Sequence, residues 1–369
     1  MIYLDYAANT PVENDVLNEY VEATKKYIAN PNSTHYLGKE AKEKIDESSE
    51  YIANIFNTSK DGIIYTSGSS ESNNLVIKGI AENNKKTGNK IIISSLEHSS
   101  VVAPCNYLAS HGYDISIISL KEDGLVDLEE LESEIDDNTI LVSIAAVDSE
   151  LGTIQPINEI ANIVRKYDNC VFHTDATQAV GKIDIDYSNV DFITFAPHKF
   201  FGLNGMGVLV NRNNKKLTPL IHGGKSTTIY RSGTPVVANV LSTKKALEIA
   251  INKLNERYEH VKKLNDRLRK EFEKLTCIHI NSPKNTIPNT FNISLINKDT
   301  KKILKNLEDK EIYLSTTTAC ALGSAPSKSV LAITKDESLA SNTIRISMSH
   351  LTKEEDIEKF IEIFKNLLK

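Results

Sequence analysis

Lys199 stands in the run FAPHKFFGLNGMG, residues 195–207, after an apolar strand-like stretch and a Pro-His bend and ahead of three glycines. A lysine amine so placed can form a Schiff base with a carbonyl, and glycine lets a backbone approach a ligand closely. A surface lysine in a turn reads the same way. Asp175 lies in FHTDATQAVGK, residues 172–182, at the C-terminal end of an apolar run. Open α/β sheets bind ligands at that end, so its carboxylate either grips a cationic partner or caps the next helix. In YTSGSSESNN, residues 65–74, a strand gives way at Ser69 and Ser70 to helix-compatible sequence. Free N–H groups and small hydroxyls there make an anion cradle or an ordinary serine N-cap. The turn RSGTP, 231–235, suits phosphate or carboxylate as well as plain surface. Arg345 interrupts the alternation of TIRISMS, 343–349; it either meets a carboxylate or faces out from a half-exposed strand. Cys320 sits in LSTTTACALGSAP, 314–326, too polar for core and too flexible for a helix.

Positioning these groups falls to alternating strands and helices. Apolar runs at 62–67, 90–95, 114–120, 139–147, 169–175, 191–196 and 207–210 read as buried strands. Helix-compatible segments at 71–86, at 97–110 and from Asp127 lie between them. That alternation predicts an α/β domain with a mostly parallel sheet covered on both faces. A long helical stretch follows from about 236 to 275. Beyond it, short strands (HINS, TFNISLIN, IYLST, TIRISMS) mix with helices at 299–309 and 352–368, the texture of a smaller α+β domain. The last helix carries a capping-box pattern, Thr352 to Glu355, and an apolar stripe of Ile357, Phe360, Ile361, Phe364, Leu367 and Leu368.

The chain has 369 residues, 40% hydrophobic and 25% charged, with a formal net charge of -6. That balance argues against a general nucleic-acid or membrane-surface binder. The start MIYLDYAANTP lacks a signal-peptide pattern and no apolar run is long enough to span a bilayer, so the expected location is cytoplasmic. The four cysteines are scattered, with no CxxC pair and no histidine at zinc spacing, which predicts neither a disulfide framework nor a metal site. Cys105, Cys170 and Cys277 read as small buried hydrophobes.

Taken in chain order, an anion cradle, a strand-end aspartate and a lysine before a glycine-rich loop suit pyridoxal phosphate. That cofactor needs a phosphate cup, a carboxylate for its ring nitrogen and a Schiff-base lysine. The segments LDYAANTPV, NPNSTHYLGKEA, YTSGSSESNN, LEHSSV, ELGTIQPI, HTDATQAVGK, PHKFFGLNGMGVL, HGG, RSGTP, the Cys320 loop and TIRISMS follow in order almost end to end. In this the chain resembles the NifS/IscS-like cysteine desulfurases of the class V aminotransferase group, which are fold-type I pyridoxal-phosphate enzymes. The resemblance implies a large cofactor-binding α/β domain with a mostly parallel seven-stranded sheet over residues 12–250. A small α+β domain from 1–11 and 251–369 then carries the Cys320 loop. By position, Lys199 resembles the lysine that holds the cofactor and shuttles the proton. Asp175 resembles the partner of the ring nitrogen, His98 the ring-stacking histidine and Gln178 the contact to the phenolic oxygen. Ser69, Ser70 and His198 align with the phosphate cup, and Thr234 with a residue donated by the second subunit of a homodimer. Arg345 resembles the clamp for the substrate carboxylate, and Cys320 the cysteine that carries the persulfide.

The implied reaction converts L-cysteine to L-alanine, with the sulfur taken by Cys320 as a thiolate delivered near cationic groups and passed to an acceptor protein. Iron–sulfur scaffolds, tRNA-thiolation, thiocofactor and phosphorothioate-DNA machinery are all compatible acceptors. The chain departs from the family's common pattern at Thr316–Thr318 before the cysteine, at Asp148-Ser149 where an Asn-Asn pair is usual, and at Ala196 where a phosphate-binding serine is frequent. Ser149 stands at the cofactor- and substrate-contacting position. An Asp148 aimed at the Schiff base would stabilise its protonated form. The competing readings are a selenocysteine lyase or other β-lyase of the same group, and a non-catalytic dimeric scaffold of the same fold.

Overall fold

Short runs that are apolar at every position make strands only where both faces are covered, and the computed structural model is built that way. It describes residues 1–226, 228–316 and 326–369. Strand β1 (Ile2–Tyr3) opens the chain. It is followed by β2 (Ile63–Thr66), β3 (Lys90–Ser94), β4 (Asp114–Ile118), β5 (Thr139–Ser143), β6 (Val171–Asp175), β7 (Phe192–Phe195) and β8 (Gly207–Asn211). Strands β2 to β8 form one seven-stranded sheet in the order β2-β8-β7-β6-β5-β3-β4. Only the pairs made by β8, with β2 and β7, are antiparallel.

Alternate side chains feed two cores. Ile64, Ile91, Ile93, Val171, Phe192 and Leu209 pack with the helices Ser69–Asn83 and Ser99–Ala109. Ile63, Ile92, Val142, Phe172, Ile193 and Val208 turn to the other face. There the helices Asn14–Lys26, Tyr36–Ile55, Ile157–Val164 and Val237–Asn252 cover them. The parallel strands β5 and β6 and their neighbour β7 all end on one edge, the edge from which Asp175 and the turn to Lys199 depart.

The remaining strands are β9 (Ile278–Ile280), β10 (Thr290–Leu295), β11 (Ile312–Tyr313) and β12 (Thr343–Ser347). An antiparallel sheet runs β12-β10-β9, and β11 pairs in parallel with β1. A separate core of Leu4, Leu268, Phe272, Phe291, Ile344, Ile346, Phe360 and Phe364 joins these strands to the helices Leu254–Phe272 and Glu354–Leu367. Phe272 stacks on Phe364 at 5.3 Å between ring centroids. The expected stripe of the last helix is this contact face.

Two local expectations are corrected. The stretch 236–275 is not one helix but two, Val237–Asn252 and Leu254–Phe272, because Lys253 leaves helical geometry at φ -104°, ψ 10°. The capping pair of the last helix is not Thr352 with Glu355. Thr352 Oγ1 accepts from the Ser349 N–H at 3.1 Å, and Asp356 accepts from the N–H of Lys353, the N-cap, at 3.2 Å. Cys105 and Cys170 are buried as expected, while Cys277 is half-buried. Among the described residues no helix is long and apolar enough to cross a membrane, and no group of three or more His, Cys, Asp or Glu is arranged to hold a metal.

Candidate active site

A cavity of about 300 Å³ opens where the ends of the parallel strands meet the N-terminal segment and β12. Its wall includes Ser69, Ser70, His98, Ser149, Asp175, Gln178, His198, Lys199 and Arg345. Nine residues expected from the sequence thus converge on one space. Thr234 is exposed and is not part of the wall built by one chain. Cys320 lies outside the described residues.

Asp175 ends β6 with 7% exposure. A carboxylate so buried needs donors. Thr177 N–H donates to Oδ1 at 3.0 Å and Asn73 Nδ2 to Oδ2 at 2.8 Å. Asn73 also donates to Ser100 Oγ at 2.9 Å, and Ser100 Oγ lies 2.8 Å from His98 Nδ1. His98 is the N-cap of the helix Ser99–Ala109, and its Nδ1 accepts from the Ser100 N–H at 3.1 Å. The acceptor role of Nδ1 assigns the proton of the neutral ring to Nε2. Burial, reinforced by the charge of Lys199, holds this ring below the usual histidine pKa, so it is neutral near pH 7.

Lys199 ends the short turn Pro197–Lys199 that follows β7. Its Nζ donates to the carbonyls of Ala7 at 2.9 Å and Ala8 at 2.6 Å. His198 beside it is pushed down to about 4 by burial and by Lys199 and Lys182. Two hydrogen bonds from Thr10 to the His198 carbonyl, at 2.8 and 3.1 Å, fix the turn against the N-terminal segment. Gln178 donates from Nε2 to the Ala7 carbonyl at 3.0 Å and accepts from Lys182 Nζ at 2.5 Å. Burial drops Lys182 to about 7.

The helix start expected as an anion cradle lies at the cavity. Gly68 is the N-cap of the helix Ser69–Asn83, so the first N–H groups of that helix open beside the cavity at its positive dipole end. Glu71, also in the wall, accepts from the Ser67 N–H at 2.7 Å and pairs with Arg231 Nε at 3.0 Å, tying the RSGTP turn to the cradle. The glycines after Lys199 do not touch the cavity, against expectation. A Cβ on Gly202 would meet Pro197 Cβ at 2.4 Å, and one on Gly207 would meet the Gly68 carbonyl carbon at 2.3 Å. Their closeness serves chain against chain, and Gly207 thereby seats the cradle.

Arg345 is 1% exposed on β12. It is not an outward-facing residue: Nη2 pairs with Asp5 Oδ1 at 2.9 Å and Nη1 donates to the Ser149 carbonyl at 3.0 Å. Asp148 does not face the cavity, which corrects the expectation of a carboxylate at the Schiff base. It is 2% exposed. Its Oδ1 accepts from the N–H of Glu150 at 3.0 Å and from that of Leu151, and its Oδ2 from Ser329 Oγ at 3.1 Å. Burial and the neighbouring Glu150 raise its pKa to about 6. Ala196 is fully buried and is not part of the wall. Sequence reasoning missed Asn73, Ser100 and Asp5. The first two lie within the quoted motifs YTSGSSESNN and LEHSSV, and the third in LDYAANTPV; no spacing rule assigned them a task.

The arrangement pairs a buried carboxylate, a lysine amine, an anion cradle and a guanidinium around a space sized for a small polar ligand. The class-V aminotransferase family model matches residues 2–360. A cysteine desulfurase IscS of Dictyoglomus turgidum is 36% identical over 372 residues, covering 100% of this chain and 94% of that protein. Among solved structures, a NifS-like protein superposes with a TM-score of 0.93 at 33% identity over 100% of this chain and 99% of its own. The structure titled SspA in complex with cysteine gives 0.83 at 32% identity, over 94% and 99%. On sequence, fold and cavity together, the chain belongs to the class V aminotransferase family and, within it, to the IscS/NifS-like cysteine desulfurases.

Proposed function

We propose that the chain is a pyridoxal-phosphate-dependent cysteine desulfurase that converts L-cysteine to L-alanine and takes the sulfur onto Cys320 as a persulfide. The observation that carries the reading is the meeting of Lys199, Asp175, the start of the helix Ser69–Asn83 and Arg345 on one cavity. These residues fit the cofactor. Asp175, buried and hydrogen-bonded on both oxygens, suits a protonated ring nitrogen. Ser69, Ser70 and the helix N–H groups suit the phosphate, with His198 alongside and Thr234 supplied by a second copy in a homodimer. When bound, pyridoxal phosphate supplies an electron sink for charge developing at the substrate Cα.

The chain's own groups do the rest. Arg345 orients the substrate carboxylate, with Ser149 beside it. Lys199 takes the Cα proton and returns it, and the Ala7 and Ala8 carbonyls fix where its amine sits. Neutral His98, aligned through Ser100 and Asn73 to Asp175, lines the space the cofactor ring would occupy and would present an Nε2 proton to it. Gln178 faces the same space, its amide oriented by Ala7 and Lys182. The Cys320 thiolate bonds to the substrate sulfur as the Cβ–S bond breaks. The electron pair passes to the substrate carbon, which is protonated and leaves as alanine. The onward partner is a sulfur-acceptor protein.

The test is incubation with pyridoxal phosphate and L-cysteine, measuring alanine release and the mass of the Cys320 peptide. Alanine with one added sulfur on that peptide is expected. Cys320→Ala should stay yellow and bind cysteine yet lose sulfur output; normal turnover would sink the role of Cys320.

A further inference from the structure

Arg345 is almost completely buried, yet its five donors are unevenly used. Nη1 goes to the Ser149 carbonyl and Nη2 to Asp5 Oδ1, while among the described residues Nε has no hydrogen-bond partner. A buried donor without a partner is costly in a purely structural ion pair. Asp5 could relieve it by facing the guanidinium with both oxygens, the usual bidentate geometry. It does not. Its second oxygen accepts from Ser315 Oγ at 3.1 Å. The backbone enforces this sharing. Ser315 and Arg345 exchange backbone hydrogen bonds at 2.7 and 3.4 Å, and Asp5 bridges Ser347 two residues along β12. Three segments therefore hold Asp5 on the guanidinium through one oxygen only and leave the buried Nε without a partner among the described residues, in a residue that lines the cavity.

We propose that Asp5 is a resident carboxylate of the substrate-carboxylate site: it shares Arg345 with the incoming amino acid and thereby weakens the hold on substrate and product. This rests on the reading of Arg345 as the carboxylate clamp. Two carboxylates then meet at one cation, and the second is bound against the repulsion of the first. The device favours release of alanine, whose carboxylate is the same as the substrate's.

The test is calorimetric binding of L-alanine and of ethylamine, which lacks the carboxylate, to the enzyme reconstituted with pyridoxal phosphate. KM and kcat for L-cysteine are measured alongside. In Asp5→Asn, which keeps the shape and removes the charge, the alanine Kd and the cysteine KM should fall roughly threefold to tenfold. Ethylamine binding should stay within about twofold. An alanine Kd that is unchanged or raised, or an equal change for ethylamine, overturns the proposal and leaves Asp5 a structural counter-ion. Should Asp5→Asn not fold, Ser315→Ala removes the hydroxyl that shares the Asp5 charge, and the alanine Kd should rise; no change or a fall overturns the proposal. If the wild type releases no alanine from cysteine, the functional reading fails on its own, while the alanine binding comparison still decides for or against Asp5.

Discussion

Replacing Asp148 by Asn should stabilise the protein at neutral pH, and the size follows from the environment of the carboxyl. In the unfolded chain Asp148 titrates near 3.8; in the fold burial and Glu150 raise it to about 6. The folded state therefore binds the proton more readily than the unfolded state. Stability falls as pH rises from 3.8 through about 6, and the full penalty is present above that. At 1.36 kcal/mol per pH unit the penalty is about 3 kcal/mol at pH 8 and about half that at pH 5. An asparagine keeps an acceptor for the Glu150 and Leu151 N–H groups and offers an amide to Ser329 Oγ, so the geometry survives the change. The measurement is the urea midpoint of wild type and variant from pH 5 to 8. The variant should be the more stable, with an advantage that shrinks towards pH 5. A difference that is flat with pH, or a variant less stable at pH 8, refutes the reasoning. Because Asp148 Oδ1 is engaged by its own turn and Oδ2 by Ser329, away from the cavity wall, the pH titration of the cofactor's visible band should be the same in both proteins.

Asn73→Ala removes the donor to Asp175 Oδ2 and the link to Ser100. A hydrogen bond to a charged group is worth about 1.5 kcal/mol, so pyridoxal phosphate affinity should fall about tenfold in a spectral titration. Gly207→Ala would drive a Cβ to 2.3 Å from the Gly68 carbonyl carbon, which cannot move without shifting the start of the helix Ser69–Asn83. It should destabilise the fold by about 2 kcal/mol and weaken binding of pyridoxal phosphate more than of pyridoxal, which lacks the phosphate.

The large sheet was legible because several of its strands are largely apolar and are separated by helix-compatible polar segments. Runs such as TILVS and NCVFHTD have no other use than a covered strand. The residues that carry charge or a nucleophile at strand ends were legible for a related reason, since that is where such groups can meet. Contacts made by backbone atoms were not. The Ala7 and Ala8 carbonyls that receive Lys199 have no side-chain signature. The aim of Asp148 was misread although a sign was present: Asp148 is followed four residues later by Gly152, with φ +79°, the pattern of an aspartate that caps its own turn. The break at Lys253 has no glycine or proline to announce it. At the last helix two overlapping S/T/K-x-x-acid frames compete, and Ser349 decides between them by occupying Thr352.

The N-terminal segment joins the site through the carbonyls of Ala7 and Ala8 and the carboxylate of Asp5, and its partners are 192 and 340 residues away along the chain. During synthesis at about 5–20 residues per second, Asp5 emerges on the order of a minute or less before Arg345 exists. Until residues 312–313 are made β1 has no β11 to pair with, and the seven-stranded sheet can assemble around an unfinished cavity. Binding competence therefore arrives as a late event, set by the translation of residues beyond 345, and a nascent chain stalled after β8 should hold a formed sheet that cannot yet grip an amino acid.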